Sequence, residues 1–200
     1  MAEETLNIPP FPPLRWDEYF WVGEVTLPSW SGFQTRRGWA MAFSSDSPSN
    51  GTAMLNVAPE NHERRSHPTV DQEVAFKYLL DNEAAVAASI LQALFDLYPD
   101  EKADYAGAYI DGAEEDLPDI TDPSGLRDLI GLTNVHVLSV AKDGAAYVGF
   151  EFDSAWDEEH GAGVMTHQGR VIAVGGGDTS VLEWIARREV PGRRSRGDHQ

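Results

Sequence analysis

The side chains best suited to binding a divalent metal lie close together towards the C-terminal end of the sequence. They are two acids and two histidines: Asp157, Glu159, His160 and His167. Carboxylate oxygens and imidazole nitrogens are ordinary zinc and manganese ligands, so this set is a candidate centre for a metal-dependent hydrolase. The spacing does not favour it, because His160 and His167 in one uninterrupted strand would face opposite sides and lie about 23 Å apart. No H-x-x-x-H or H-x-H pair occurs in the sequence to strengthen it.

Other catalytic chemistries find no support in the residues. The chain has no cysteine, which excludes thiolate nucleophiles and thiolate-bound zinc, and no serine occupies a G-x-S-x-G turn. The loop Ser44–Gly51 lacks the lysine of a phosphate-binding P-loop. The run Gly175–Gly177 lacks the G-x-G-x-x-G register, and Asp178 places negative charge where a phosphate would bind. We therefore predict no cofactor.

The run Trp156–Gly163, WDEEHGAG, has a structural interpretation that requires no ligand. Asp157 is expected to accept hydrogen bonds from backbone N–H groups of its own turn, as short acidic side chains do. Trp156 is then expected to cover an edge of the sheet, and His160 to bond to a carboxylate or a carbonyl. We favour this interpretation. The alternative is a protein-binding surface in which Trp156 is an anchor within a charged rim.

Four consecutive strands are predicted around this turn. Short apolar runs occur at Val135–Val140, Tyr147–Phe152, Val164–Met165 and Val171–Val174. The links Lys142–Gly144 and Thr166–Arg170 have the length of hairpin turns and contain a glycine for a positive φ. Strands joined by such short turns pair antiparallel, so the C-terminal part of the chain is predicted to be a β-meander.

This part of the chain resembles a known family. The run WDEEHGAGVMTHQGRVIAVGGGDTSVLEW is similar to the C-terminal signature of a bacterial group described as domain of unknown function 6985. That signature is a WD-E-(H/N)-G-x-G turn followed by a strand, a short turn and a V-x-x-V-G strand. The matching residues are Trp156, Asp157, Glu159, His160, Gly161, Gly163 and Gly175. The family has no established activity, so the resemblance implies none for this chain. Family members are often suspected of being immunity or accessory proteins encoded near toxin genes, and the resemblance implies such a role here.

A central helical region is predicted before the meander. Thr69 with Gln72 has the spacing of a capping box, and apolar residues recur at helical spacing from Val70 to Tyr98. Asn82 lies in the middle of this pattern, so either one kinked helix or two nearly continuous helices would fit. Pro99 is expected to end the region, since the residue before a proline disfavours helix.

The rest of the chain gives weaker patterns. The first half is expected to hold strands near Trp21–Val25, Gly38–Phe43 and Met54–Val57, with a turn at Pro28–Gly32. The acidic segment Asp96–Asp122 is predicted to be a long irregular excursion. A short helix is predicted at Ser124–Ile130, and a last amphipathic helix after Asp178.

The global composition fits one domain. At 200 residues, with 42% hydrophobic content, the chain is long enough to bury one substantial core. We predict a single α+β domain over residues 1–190, an antiparallel sheet with a C-terminal β-meander packed against the central helical region. Residues 1–13 are predicted to be an extended proline-rich arm that packs Phe11 and Leu14 on the body, and residues 191–200 a disordered arginine-rich tail.

Charge indicates the class of partner. The formal net charge of −18 disfavours binding to nucleic acid, and no apolar run is long enough to span a membrane. The acidic start of the sequence, where a secretory signal would be basic, predicts a cytoplasmic protein. We predict a bacterial, non-enzymatic protein-binding module, an immunity or accessory protein whose partner is a cationic protein such as a toxin domain. The expected docking residues are Trp156, Asp157, Glu158, Glu159, His160, Asp116, Asp119, Tyr105 and Tyr109.

Overall fold

In the part of the chain that the structure describes, eight strands lie side by side in one sheet, in the order of the sequence. The computed structural model describes residues 5–34, 48–108 and 117–190. The strands are β1 (Thr5–Leu6), β2 (Leu14–Trp16), β3 (Trp21–Ser31), β4 (Asn50–Val57), β5 (Ile130–Lys142), β6 (Ala145–Ser154), β7 (Ala162–His167) and β8 (Arg170–Gly176). The helices are α1 (Val70–Asp81), α2 (Glu83–Ala108) and α3 (Glu183–Glu189), with 3₁₀ helices at Pro123–Asp128 and Gly177–Ser180. The architecture is α+β, as the sequence predicts.

The sheet is mixed, which corrects the prediction of an antiparallel sheet. Every neighbouring pair is antiparallel except β4 and β5, which run parallel at the centre of the sheet. A parallel pair needs a crossover connection, because a short hairpin turn can join only antiparallel strands. Residues 58–129, including both long helices, make this crossover. The chain halves on either side of the helices therefore meet in the middle of one sheet.

Strand β3 is longer than the sequence indicates. A turn was expected at Pro28–Gly32, but β3 continues to Ser31, and its pairing with β4 shifts register between Thr26 and Ser31. Proline is tolerated in a strand at such an irregularity, where no ladder hydrogen bond is lost. The extension buries Trp30 in the core. The strand predicted at Gly38–Phe43 lies outside the described residues.

The helical region begins and divides where the sequence indicates. Thr69 Oγ1 accepts a hydrogen bond from the Gln72 N–H, and the Gln72 side chain accepts one from the Thr69 N–H, so the capping box is present. Asn82 separates α1 from α2 and donates to the Tyr78 carbonyl oxygen. Gln72 is buried and donates to the carbonyls of Ala58 and Leu138, which joins the start of α1 to both central strands.

Pro99 does not end the helical region, which corrects another expectation. Helix α2 continues to Ala108, so the first part of the predicted irregular excursion is regular helix. A proline inside a helix removes one backbone hydrogen bond, and tertiary packing must compensate for that loss. Tyr98 is buried on one side of the proline, and Tyr105 packs against the same core on the other. Tyr98 also donates to the Pro118 carbonyl over 2.7 Å.

The two faces of the sheet are covered differently. One face packs against α1 and α2 in the main core, with Val135, Val137 and Phe150 fully buried and Phe11 stacked on Phe76 at 4.9 Å. The opposite face, called the second face below, carries a smaller core under α3: Leu138, Val140, Tyr147, Met165 and Ala186. Phe11 and Leu14 near the N-terminus are buried, as expected for these two side chains.

Glycine allows backbone to pack directly on the second face. A Cβ at Gly149 of β6 would overlap the Ser180 carbonyl oxygen, and a Cβ at Gly163 of β7 would lie within 2.6 Å of the Gly177 carbonyl oxygen. The 3₁₀ helix Gly177–Ser180 therefore lies against bare strand backbone. Among the described residues, no helix has the length and apolarity to cross a membrane.

Candidate functional site

The turn Trp156–Gly161, called the Asp157 turn below, connects β6 to β7 and satisfies its own polar groups. Asp157 Oδ1 accepts hydrogen bonds from the backbone N–H groups of Glu159 at 3.2 Å and His160 at 2.9 Å. The same carboxylate lies 3.1 Å from His160 Nδ1, and the Gly161 N–H donates to the Asp157 carbonyl. This is the closed turn that the structural interpretation predicts.

Trp156 lies inside the molecule, which corrects its expected role as a docking anchor. It is 6% exposed and packs edge-to-face on Tyr98, with 5.5 Å between the ring centroids. A side chain already enclosed by the core of its own protein has no surface to offer a partner. The tryptophan instead fixes the Asp157 turn against α2.

The two histidines of the candidate metal site are engaged separately. His167 is buried on β7, and its Nε2 lies 3.0 Å from the Lys142 carbonyl oxygen and 3.2 Å from that of Ala145. Carbonyl oxygens only accept, so this nitrogen carries the proton and has no lone pair for a metal. His160 is exposed and bonds to Asp157. In the described part of the chain, no group of three or more His, Asp or Glu side chains is arranged to hold a metal ion.

Acidic side chains from α2 lie beside the Asp157 turn. Burial raises the pKa of Glu101 above its ordinary value, and the negative charges of Asp104, Asp157 and Asp100 raise it further. A carboxyl group whose pKa responds to acids from another element must share their electrostatic environment. Asp100, Glu101, Asp104 and Asp157 are called the acidic surface below.

The remaining expected docking residues are divided between different environments. Asp119 bonds to Lys102 at 2.7 Å, and that hydrogen bond and charge hold its pKa below the ordinary value. Tyr105 is half-buried against the core, whereas Glu158 and Glu159 are exposed. Tyr109 and Asp116 lie outside the described residues. The structure therefore brings Asp157, Glu158, Glu159 and His160 together and links Asp119 to a cation.

A second polar group lies on the second face and was missed by the sequence analysis. It combines side chains of β4, β5 and β6, called the amide–histidine cluster: Asn56, Asn134, His136 and Glu151. Glu151 Oε2 lies 2.9 Å from His136 Nε2 and 3.0 Å from Asn134 Nδ2. Asn56 Nδ2 donates to Asn134 Oδ1 over 3.2 Å and lies 3.5 Å from His136 Nδ1. Asn56 and His136 are each 7% exposed.

Comparison with known protein families identifies the family of the chain. Residues 21–182 match the family model described as Domain of unknown function (DUF6985). The chain belongs to this family. No curated protein and no solved structure matches it.

The DUF6985 match includes both polar regions of the molecule. It extends from the start of β3 to the residue before α3, so it covers the Asp157 turn and all of the amide–histidine cluster. The short strands β1 and β2 and the helix α3 lie outside it. One signal in the DUF6985 sequence could have revealed the cluster: Asn134 and His136 alternate with Val135 and Val137 within one strand, which places two polar side chains on a single face.

Proposed function

We propose that this DUF6985 protein is a non-enzymatic protein-binding module of the bacterial cytoplasm, an immunity or accessory protein that engages a cationic toxin domain. The observation that supports this proposal is the acidic surface, where carboxylates from α2 and from the Asp157 turn share one environment. Like charges brought together raise the free energy of the unbound protein, and a cationic partner relieves that repulsion.

The overall charge favours the same class of partner. The chain carries a formal net charge of −18, and a field of this sign attracts cationic proteins over distances comparable with the Debye length. Glu158 and Glu159 add exposed negative charge next to the acidic surface. Steering by such a field increases the rate of association more than it slows dissociation.

Nuclease toxins are a cationic class that suits this surface. A nuclease needs a basic surface to hold the phosphate backbone of its substrate, and an acidic protein bound there competes with the nucleic acid. The proposed activity is therefore inhibition by occupation, which needs no catalytic group on this chain. A toxin gene directly upstream of the gene for this protein would name the partner.

The test is a kinetic measurement against the product of such a neighbouring toxin gene. The triple variant Glu101→Gln, Asp104→Asn and Asp157→Asn neutralises three members of the acidic surface. Asparagine retains an oxygen that can accept the turn hydrogen bonds. We expect its association rate at low salt to fall about tenfold, with a weaker dependence on ionic strength.

A matched control separates local steering from total charge. Glu60→Gln, Glu63→Gln and Asp128→Asn change the same number of charges at exposed positions outside α2 and the Asp157 turn. This control should retain most of the association rate. Equal effects of the two triple variants would show that only net charge matters, and an unchanged rate in the first variant would refute docking on the acidic surface.

A further inference from the structure

The second face of the sheet holds a groove that lies beside the amide–histidine cluster. Residues paired across neighbouring strands point to the same face, so the pairing registers order the side chains in two rows. The first row contains Thr5, Arg15, Val22, Asn56, His136, Gly149 and Met165. The second contains Glu24, Met54, Asn134, Glu151 and Gly163. In each row the cluster lies directly beside the groove residues.

The groove has the size of a small-molecule site. Its volume is about 600 Å³, and its lining includes Pro12, Arg15, Val22, Glu24 and Met54. Ligand sites typically have volumes of roughly 300–1,000 Å³. Met54 is 47% exposed, so an apolar side chain faces solvent beside the hydrogen-bonding groups of the cluster.

Other segments of the chain lie at both ends of this surface. At one end, residues 12–15 of the N-terminal arm line the groove. At the other end, the 3₁₀ helix Gly177–Ser180 packs on Gly149 and Gly163, and Gly177 lies against the Glu151 side chain. The groove and the cluster therefore lie side by side on the second face, and this surface across β2 to β6 is called the trough below.

The directions of the hydrogen bonds within the cluster determine which of its atoms remain available to a ligand. A carboxylate only accepts, so His136 Nε2 must donate to Glu151, and His136 Nδ1 then accepts from Asn56 Nδ2. Asn134 Nδ2 donates to Glu151 and lies 3.4 Å from Thr133 Oγ1, and the second N–H of Asn56 goes to Asn134. Every side-chain donor of the cluster thus has a partner, either within the cluster or at Thr133.

The groups that remain are all acceptors. Asn56 Oδ1 and Glu151 Oε1 accept no hydrogen bond from the described residues, and the Glu151 side chain is 36% exposed. The exposed carboxylate of Glu24 lies in the same row as Glu151. A ligand that complements this surface must donate hydrogen bonds and carry positive charge.

We propose that the trough binds a small aliphatic amine or guanidine. Its cationic group lies at Glu151 and Asn56, and its apolar stem lies along Val22 and Met54. Arg15 lines the opposite rim, so its charge directs the cationic group of the ligand towards the Glu151 end. The volume of the groove is in the range of small-molecule sites, so we assign the trough to a free small molecule rather than to a side chain of a protein partner. This site is separate from the acidic surface, because α2 packs on the other face of the sheet.

The test is calorimetric titration of the full chain with agmatine and with putrescine, and 1,4-butanediol serves as the uncharged analogue. We expect saturable one-to-one binding of at least one amine at concentrations up to about 10 mM and none of the diol. Glu151→Gln should weaken that binding about tenfold, because a charge-assisted hydrogen bond becomes neutral. Glu159→Gln removes the same charge from the exposed Asp157 turn and should change the affinity less than about twofold.

A second variant keeps the test decisive if Glu151→Gln does not fold. Met54→Arg places a permanent cation in the trough at an exposed position, leaves the cluster unchanged and should abolish amine binding. Absence of binding by both amines would overturn the proposal, as would equal weakening by Glu151→Gln and Glu159→Gln. Binding of Nα-acetyl-lysine methylamide without binding of either free amine would overturn the small-molecule assignment and favour a protein side chain.

Discussion

The Asp157 turn and the amide–histidine cluster both hold polar side chains against the sheet, but they satisfy them differently. In the turn, one carboxylate accepts hydrogen bonds from backbone and side-chain groups two and three residues along the chain. In the cluster, four side chains from three strands bond to one another, and the chain positions they join are as much as 80 residues apart. The turn forms its hydrogen bonds locally, and its glutamates Glu158 and Glu159 remain exposed to solvent. The cluster instead holds its remaining acceptor oxygens in fixed positions, because its side chains are hydrogen-bonded to one another.

This difference separates two kinds of recognition. Exposed acids on flexible side chains attract a partner over a distance but define little geometry, which suits steering of a protein. Groups held by mutual hydrogen bonds in the middle of a sheet are positioned in advance, which suits a small ligand whose donors must meet them. The following substitutions test whether the turn is structural and whether the second face is rigid.

The largest expected effect is that of Trp156→Ala. Removing a buried indole leaves a cavity between the Asp157 turn and Tyr98, and such truncations reduce the free energy of unfolding by about 3–5 kcal/mol. Urea denaturation of the variant measures this loss. Glu158→Gln in the same turn is the control and should change stability by less than about 0.5 kcal/mol. A near-native stability of Trp156→Ala would contradict the role of this tryptophan as a core residue that fixes the turn.

The next effect concerns the glycine packing on the second face. Gly149→Ala places a methyl group into the Ser180 carbonyl oxygen, so the 3₁₀ helix must move, at an expected cost of about 1–3 kcal/mol. Gly107→Ala is the control, because a Cβ there meets no atom within 4 Å and alanine favours helix. Thermal melting compares the two. Equal melting temperatures would mean that the Gly177–Ser180 segment is not rigidly seated.

A smaller effect is expected from the hydrogen bonds of the turn. Asp157→Ala removes the acceptor of two backbone N–H groups, as loss of a helix N-cap does, and should reduce stability by about 1 kcal/mol. Asp157→Asn keeps an acceptor oxygen and should lose only a few tenths of a kcal/mol. Chemical denaturation of the pair distinguishes hydrogen bonding from charge. If both variants lost the same stability, the carboxylate charge rather than its geometry would stabilise the turn.

The smallest effect is expected for Glu101 and depends on pH. Its pKa is raised above the ordinary value of 4.5, first by burial and then by the neighbouring acids, so the folded protein binds this proton more tightly than the unfolded chain. The stability that it contributes is complete below its unfolded pKa and is lost as pH rises through its folded pKa. Glu101→Gln should therefore raise stability at neutral pH by less than about 1 kcal/mol, after solvent screening.

Melting temperatures measured between about pH 7 and pH 4 test this dependence. The advantage of Glu101→Gln should shrink as the solution is acidified, because the parent carboxyl becomes protonated. Glu60→Gln at an exposed position is the reference and should show little dependence on pH. If Glu101→Gln raised the melting temperature by the same amount at every pH, repulsion between charged carboxylates would not be the cause.

Features of the fold that arise within a few residues of sequence could be predicted. The Thr69 capping box, the division at Asn82 and the hydrogen bonds of Asp157 each depend on residues close together in the chain. The segments of β5 to β8 follow from apolar runs separated by glycine-containing turns. Local propensity and turn chemistry decide such features before any tertiary contact is made.

Features that depend on distant partners could not be predicted. Pro28 lies within a strand because the pairing of β3 with β4 becomes irregular there, and Pro99 lies within a helix because Tyr98 and Tyr105 are packed. The amide–histidine cluster requires the parallel register of Asn56 with His136, which no local pattern specifies. The candidate ligand site therefore became visible only with the pairing of the strands.

The parallel pair at the centre of the sheet has a consequence for the order of folding. Residues 54–57 of β4 pair with 134–137 of β5, so the contact closes a long loop whose entropic cost must be met before the pairing stabilises anything. The hairpins on either side close much shorter loops and should form earlier. In pulsed hydrogen exchange, we expect the amide protons that form hydrogen bonds between β4 and β5 to become protected from exchange later than those between β6 and β7. The trough would then be among the last surfaces of the protein to exist, appearing only when the two halves of the chain have joined.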